Sequence, residues 1–144
     1  MKNIFETAQA DGRLSISVRL VEAGGVAETL RGDGPYTAFI PTNEAFSGIP
    51  EEMLEAIVKN RERLAGMIMY HVVRGKLTTL ELTQMEAIRT LQEDHLNISS
   101  SPEGIRLNDA VIIQSDIECT NGMYHIIDSV LIPRAVEARV GRTV

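Results

Sequence analysis

Tryptophan is absent from this 144-residue chain, and the other aromatics are scarce, with three Phe and three Tyr. Six scattered rings do not make the stacking platform on which single-strand nucleic-acid binders rely. Basic residues are also in deficit, 14 against 20 acidic, for a net charge of −6. A chain without a Lys/Arg cluster lacks the phosphate-neutralising footprint of a nucleic-acid binder. Its charge also gives no unaided attraction to anionic membranes. No apolar run approaches the roughly 18 to 20 residues that span a bilayer. Cysteine occurs once, at Cys119, so no intrachain disulfide forms and cysteine usage leaves the compartment undefined. At the N-terminus, Glu6 and Asp11 interrupt Met1-Lys2-Asn3-Ile4-Phe5 before any apolar signal region develops. The chain therefore reads as cytosolic if Met1 is its native start, or as one from which a signal was removed.

What is present suffices for one domain. The length matches a single unit of roughly 150 residues, and a hydrophobic share of 44% supports a core that Ile, Val and Leu must fill. Helical spacing dominates the first half: Ile4, Phe5 and Ala8; Leu14, Val18 and Val21, stopped by Gly24-Gly25; and a turn over Val26 to Leu30. A β-prone run, Tyr36 to Ile40, is closed by Pro41. Thr42 is placed to N-cap a short helix through Phe46. Pro50, Glu51 and Glu52 suit the start of the next helix, with Leu54, Ile57 and Val58 as its apolar stripe. Leu64, Met67 and Ile68 share a further helical face that runs into Tyr70-His71-Val72-Val73, read as strand. Thr78 and Glu81 form a capping-box pattern. Short β-prone segments follow around Ile88–Leu91, Leu96–Ser99, Ile105–Leu107, Val111–Ile113 and Met123–Ile127. The expected class is α+β, with helices early and an antiparallel sheet late.

Local chemistry points to no enzyme. His71, His95 and His125 are too far apart in sequence for a metal motif, so a metal- or ligand-binding site would require their convergence in space. Each reads first as a satisfied core or surface residue. There is no nucleophile elbow around Ser47-Gly48. Cys119 reads as a buried thiol, on the opposite face from Asp116 if that stretch is one uninterrupted strand. Gly32-Asp33-Gly34 precedes a strand, so it is a turn and not a phosphate loop. Asn97-Ile98-Ser99 fits a glycosylation sequon, relevant only in a glycosylating pathway.

Three blocks in order resemble the fasciclin (FAS1) family: Thr37 to Phe46, Tyr70-His71-Val72-Val73, and Asn121 to Pro133. The resemblance covers about residues 2–135 of a single domain spanning 1–144, with a short C-terminal tail. Ile40, Met123-Tyr124 and Ser17 depart from the family pattern, the last where an apolar helix residue is usual. The implied fold is a wedge-like β-sandwich flanked by helices. Thr37, Phe39, Pro41, Thr42, Asn43, Phe46, Asn121, Gly122, His125 and Asp128 are then fold-holding residues. Phe39 and Phe46 plug the core, Thr42 or Asn43 meets His71, and Asp128 holds the following turn. The resemblance also implies a non-catalytic adhesion module, extracellular, periplasmic or on the cell surface, that binds protein or polysaccharide and needs no cofactor. Two motifs are its candidate binding residues, Asp116-Ile117 and Tyr70-His71.

Overall fold

The computed structural model describes residues 1–133; the end of the expected core and the C-terminal tail lie outside them. Three helices open the chain: α1 (Ile4–Gln9), α2 (Ser15–Ala23) and α3 (Ala27–Arg31). A capping box between Asn3 and Glu6 starts α1, and Gly24, with Gly25 at φ +74°, ends α2. Strand β1 (Tyr36–Pro41) leads through a 3-10 turn to α4 (Glu51–Lys59) and α5 (Arg61–Met69). Then come β2 (Val72–Arg74), α6 (Thr79–Leu82), β3 (Ala87–Arg89), β4 (His95–Ser101), β5 (Gly104–Leu107), β6 (Ala110–Cys119) and β7 (Gly122–Ile127). The Thr78–Glu81 capping box forms as the sequence predicts.

The seven strands make one sheet in the order β2-β1-β7-β6-β5-β4-β3. The pairings are antiparallel except β1 with β7, which run parallel from Tyr36↔Gly122 to Pro41↔Ile127. The sheet curls until its edges meet, where the Leu91 N–H after β3 donates to the Val72 carbonyl of β2 at 2.8 Å. The α+β expectation holds, but the expected sandwich is one barrel-like sheet. Its interior is a single apolar cluster to which all seven strands contribute, among them Phe39, Val73, Ile88, Leu96, Leu107, Ala110 and Ile127.

The parallel pair β1 and β7 is covered on both sides, which explains its unbroken burial. Ala38, Ile40, Tyr124 and Ile126 face the other way and pack with Ile4, Phe5 and Leu14 of the opening helices. A third cluster joins α4 and α5 through Met53, Ile57, Leu64, Met67 and Ile68, with Phe46. The buried stripe of α4 is thus Met53 and Ile57, while Val58 is exposed. An apolar cavity of about 50 Å3 remains between the helices and β1.

Candidate functional site

The Tyr70-His71 motif is not strand. It forms the turn that ends α5, and both residues are buried. His71 Nδ1 lies 2.7 Å from the Met67 carbonyl, and Nε2 accepts from the Leu131 N–H at 2.9 Å. A carbonyl only accepts and an amide N–H only donates, so the ring is neutral with its proton on Nδ1. Burial pulls the His71 pKa down to about 4 against the pull of the Met67 bond. Tyr70 donates its hydroxyl to the His95 carbonyl at 2.9 Å and accepts from Asn108 Nδ2 at 3.1 Å.

His71 meets neither Thr42 nor Asn43. Thr42 sits at the N-cap of the 3-10 turn without a side-chain cap bond. Asn43 reaches across to α2, where its Oδ1 accepts from the Ile16 N–H at 2.9 Å and its Nδ2 donates to the Gly12 carbonyl and Ser15 Oγ. That bond to Ile16 satisfies one of the orphan amides at the helix start. Ser17 is buried despite its hydroxyl, which donates to the Pro41 carbonyl at 2.7 Å at the end of β1. Here a polar residue in an apolar setting is a helix-to-strand tie.

Asp116-Ile117 lies within β6, where the register to β7 shifts twice between Ile112 and Ile117. Asp116 takes φ +59°, the left-handed region that a non-glycine residue adopts at some cost. Three bonds hold it. Its N–H donates to His125 Nδ1 at 3.0 Å, and its carboxylate accepts from the Thr79 N–H at 3.0 Å and hydroxyl at 2.9 Å. The carboxylate thereby fastens the first residue of α6. Ile117 is half-buried against the helical cluster. Because β6 is bulged, strict alternation does not govern it, and Ile113 to Asp116 are all exposed; Cys119 is nonetheless buried where Asp116 is exposed, as expected, with burial pushing the thiol pKa up.

His125 is the opposite tautomer of His71. Its Nε2 bonds the Leu77 carbonyl at 2.8 Å, leaving Nδ1 to accept from Asp116. Its ring stacks on Phe39 at 5.7 Å between centroids, across the β1–β7 register. Burial lowers its pKa, opposed by the Leu77 bond and the Asp116 charge. The ring is therefore neutral at pH 7, and its 3.9 Å approach to the Asp116 carboxylate is not an ion pair. His95 is exposed on β4. Among the described residues, no group of three His, Cys, Asp or Glu side chains is placed to hold a metal ion.

The remaining motif residues also bond backbone. Thr37 Oγ1 donates to the Gly75 carbonyl at 2.6 Å and accepts from the Leu77 N–H at 2.8 Å. Asn121 accepts from the Ile4 N–H at 2.9 Å and donates to the Leu30 and Gly32 carbonyls, each at 2.7 Å. Asp128 accepts from the Val111 N–H at 2.9 Å, pinning the start of β6, and from Ser129 Oγ at 3.3 Å. Gly122 has φ +147°, and a Cβ there would collide with the Tyr36 carbonyl of the parallel strand. Sequence reasoning missed Asn108, Thr79 and Leu77. Only their bonds across the fold reveal them.

The chain is 36% identical over 132 residues to the Synechocystis sp. protein sll1735, covering 92% of this chain and 98% of that one. It is 33% identical over 135 residues to the pig (Sus scrofa) transforming growth factor-beta-induced protein ig-h3, covering 94% of this chain but 20% of that one. Its fold matches a solved FAS1 domain pair from the insect cell adhesion molecule Fasciclin I, with TM-score 0.72 and 14% identity over 94% of this chain and 52% of that one. The family profile described as Fasciclin domain matches residues 12–133, and the chain belongs to the fasciclin domain family.

Proposed function

We propose that this domain is a non-catalytic adhesion module, outside the cytoplasm or on the cell surface, that docks a protein partner on the face around Asp116 and Ile117. The observation that carries the reading is the conformation of β6. Residues Ile113 to Asp116 are all exposed, and the strand there is bulged and held in a strained shape by bonds from His125 and Thr79. Strain held in place by surrounding structure is characteristic of positions that present side chains to a partner. Two of the four exposed large hydrophobic residues among those described flank this joint: Leu80, 74% exposed beside Thr79, and Ile113, 54% exposed three residues before Asp116. Tyr70 and His71 contribute indirectly, because their polar atoms already bond the protein's own groups. The non-catalytic half of the reading rests on the same commitment of His71 and His125.

The test compares adhesion of domain-coated beads to cells of the source organism for the native chain and for Leu80→Glu with Ile113→Glu. Both side chains are exposed, so the fold survives their replacement and circular dichroism verifies it. Loss of adhesion supports the face. Full adhesion by the double variant rejects it. Asp116→Ala is a poorer probe, since it also unfastens α6.

A further inference from the structure

His125 and Asp116 hold the bulged face of β6 through a bond that exists only while the ring is neutral. We propose that the pair is a proton switch on this face: a proton taken up at His125 Nδ1 turns Asp116 from the clamp of α6 into the counter-ion of the ring, and the face releases its partner in acid. Release of a partner rests on the docking reading above; the proton switch beneath it does not. At neutral pH, Nδ1 offers a lone pair to the Asp116 N–H at 3.0 Å, because the ring's one proton is on Nε2, bonded to the Leu77 carbonyl at 2.8 Å. That bond offsets the cost of φ +59° at Asp116. Meanwhile Asp116 Oδ1 accepts from the Thr79 N–H, and Oδ2 from the Thr79 hydroxyl.

A second proton on the ring breaks this arrangement. Nδ1–H would face the Asp116 N–H, donor against donor, while Nε2–H keeps its place on Leu77. An acceptor stands close by, since Asp116 Oδ1 is 3.9 Å from Nδ1. Closing that gap to the about 2.8 Å of a charged hydrogen bond draws Oδ1 off the Thr79 N–H and turns the Asp116 N–H away from the ring. The bulge then loses its hold, and α6, four residues long, loses the bonds at its first residue. Leu80 and Ile113 no longer stand in one fixed face. The ring is shielded, but Asp116 is 41% exposed, so solvent protons reach this edge of it. The other charged or titratable groups on the elements around the ring are occupied or turned away. Lys76 and Glu118 pair with each other, Arg13 reaches Gln114 but is paired with Asp11, Glu81 is bonded to Thr78, and Tyr36 and Tyr124 pack with the opening helices. His125 thus has one carboxylate to receive its charge, whereas at His71 only a backbone bond opposes burial. His125 takes its proton first, in the folded domain.

The experiment follows the 15N-labelled chain by NMR from about pH 7.5 down to about 4.5, reading the His125 ring nitrogens with the Asp116, Thr79 and Leu80 amides. One shared midpoint below 6.5 is expected, with Nδ1 changing from a bare nitrogen to an N–H while Met67, His71 and Leu131 hold their signals. Through the same transition the Thr79 amide loses about tenfold in exchange protection. Asp116→Asn suits the left-handed backbone and leaves an acceptor for Thr79 but no counter-ion, so the His125 midpoint moves down by about one pH unit or more. Three results overturn the proposal: a His125 ring that stays neutral until the whole chain unfolds, a midpoint that Asp116→Asn leaves in place, or a Thr79 amide indifferent to the ring's titration. Beads carrying the native domain should detach from cells near the same midpoint, and beads that stay bound well below it overturn the release. Absence of adhesion already at neutral pH defeats the docking reading instead, and the spectra then read the switch without any partner.

Discussion

Acid should unfold this domain largely through one buried ring. His71 has both nitrogens occupied, Nδ1–H on the Met67 carbonyl and Nε2 beneath the Leu131 N–H. A second proton would set an N–H against an N–H in an apolar setting, and burial holds the pKa at about 4 against an ordinary 6.5. Between those values the unfolded chain binds the proton and the folded chain does not. Stability is therefore complete above about pH 6.5 and falls as pH drops toward 4. The difference, at 1.36 kcal/mol per unit, amounts to about 3 kcal/mol. Small domains have about 5–15 kcal/mol in all, so a substantial part is lost. His125, whose pKa burial also lowers, acts in the same direction. Urea unfolding across this window measures the total, and NMR separates the sources. The His71 ring should keep the signature of the neutral Nδ1–H tautomer down to about pH 5. A His71 that titrates near 6.5, or an unfolding free energy flat from about pH 6.5 to 4, would falsify the reasoning.

Two further predictions concern the β1–β7 seam. Gly122→Ala must push a Cβ into the Tyr36 backbone, whose C and N atoms would lie at 2.8 Å, at a φ of +147°; overpacking and backbone strain together cost at least about 3 kcal/mol. A thermal melt within a degree or two of the native one would sink that account. Asn121→Ala strips the Ile4 N–H and the Leu30 and Gly32 carbonyls of their partner. It should cost about 2–4 kcal/mol and speed amide exchange at Ile4, whereas unchanged exchange there would show that α1 is held by packing alone.

Much of the chain was legible because its signals are local. The apolar spacing of α2 and α5 and the Thr78–Glu81 box each depend on neighbours a few residues away. β6 was only half visible. The β-prone signal stops at Ile113, yet the strand continues to Cys119, because Gln114, Ser115 and Asp116 face outward on a bulged segment that shows no alternation. Tyr70-His71 looks β-prone next to Val72-Val73, but the residues close α5 through helical bonds to Gly66 and Ile68. The α4 stripe was legible in part: Ile57 is buried and Leu54 packs half-buried against the α4–α5 cluster, but Met53 is buried as well and Val58 is exposed. Long-range facts left no trace in spacing. The parallel pairing of Tyr36 with Gly122 and the opposite tautomers of His71 and His125 exist only once distant segments meet.

Those long-range bonds explain why the polar motif residues are what they are. A sheet curled until its edges touch must pass the chain from helix to strand and back within the core, and each passage strands backbone amides and carbonyls away from water. Thr37, His71, Asn121 and His125 each serve two or more such groups from a single side chain. Each of these side chains both donates and accepts, so an apolar isostere would leave orphans on both sides. The identity of these residues is thus fixed by the fold's interior. Side chains free to meet a partner must lie outside that interior, and those of the bulged, exposed face of β6 do.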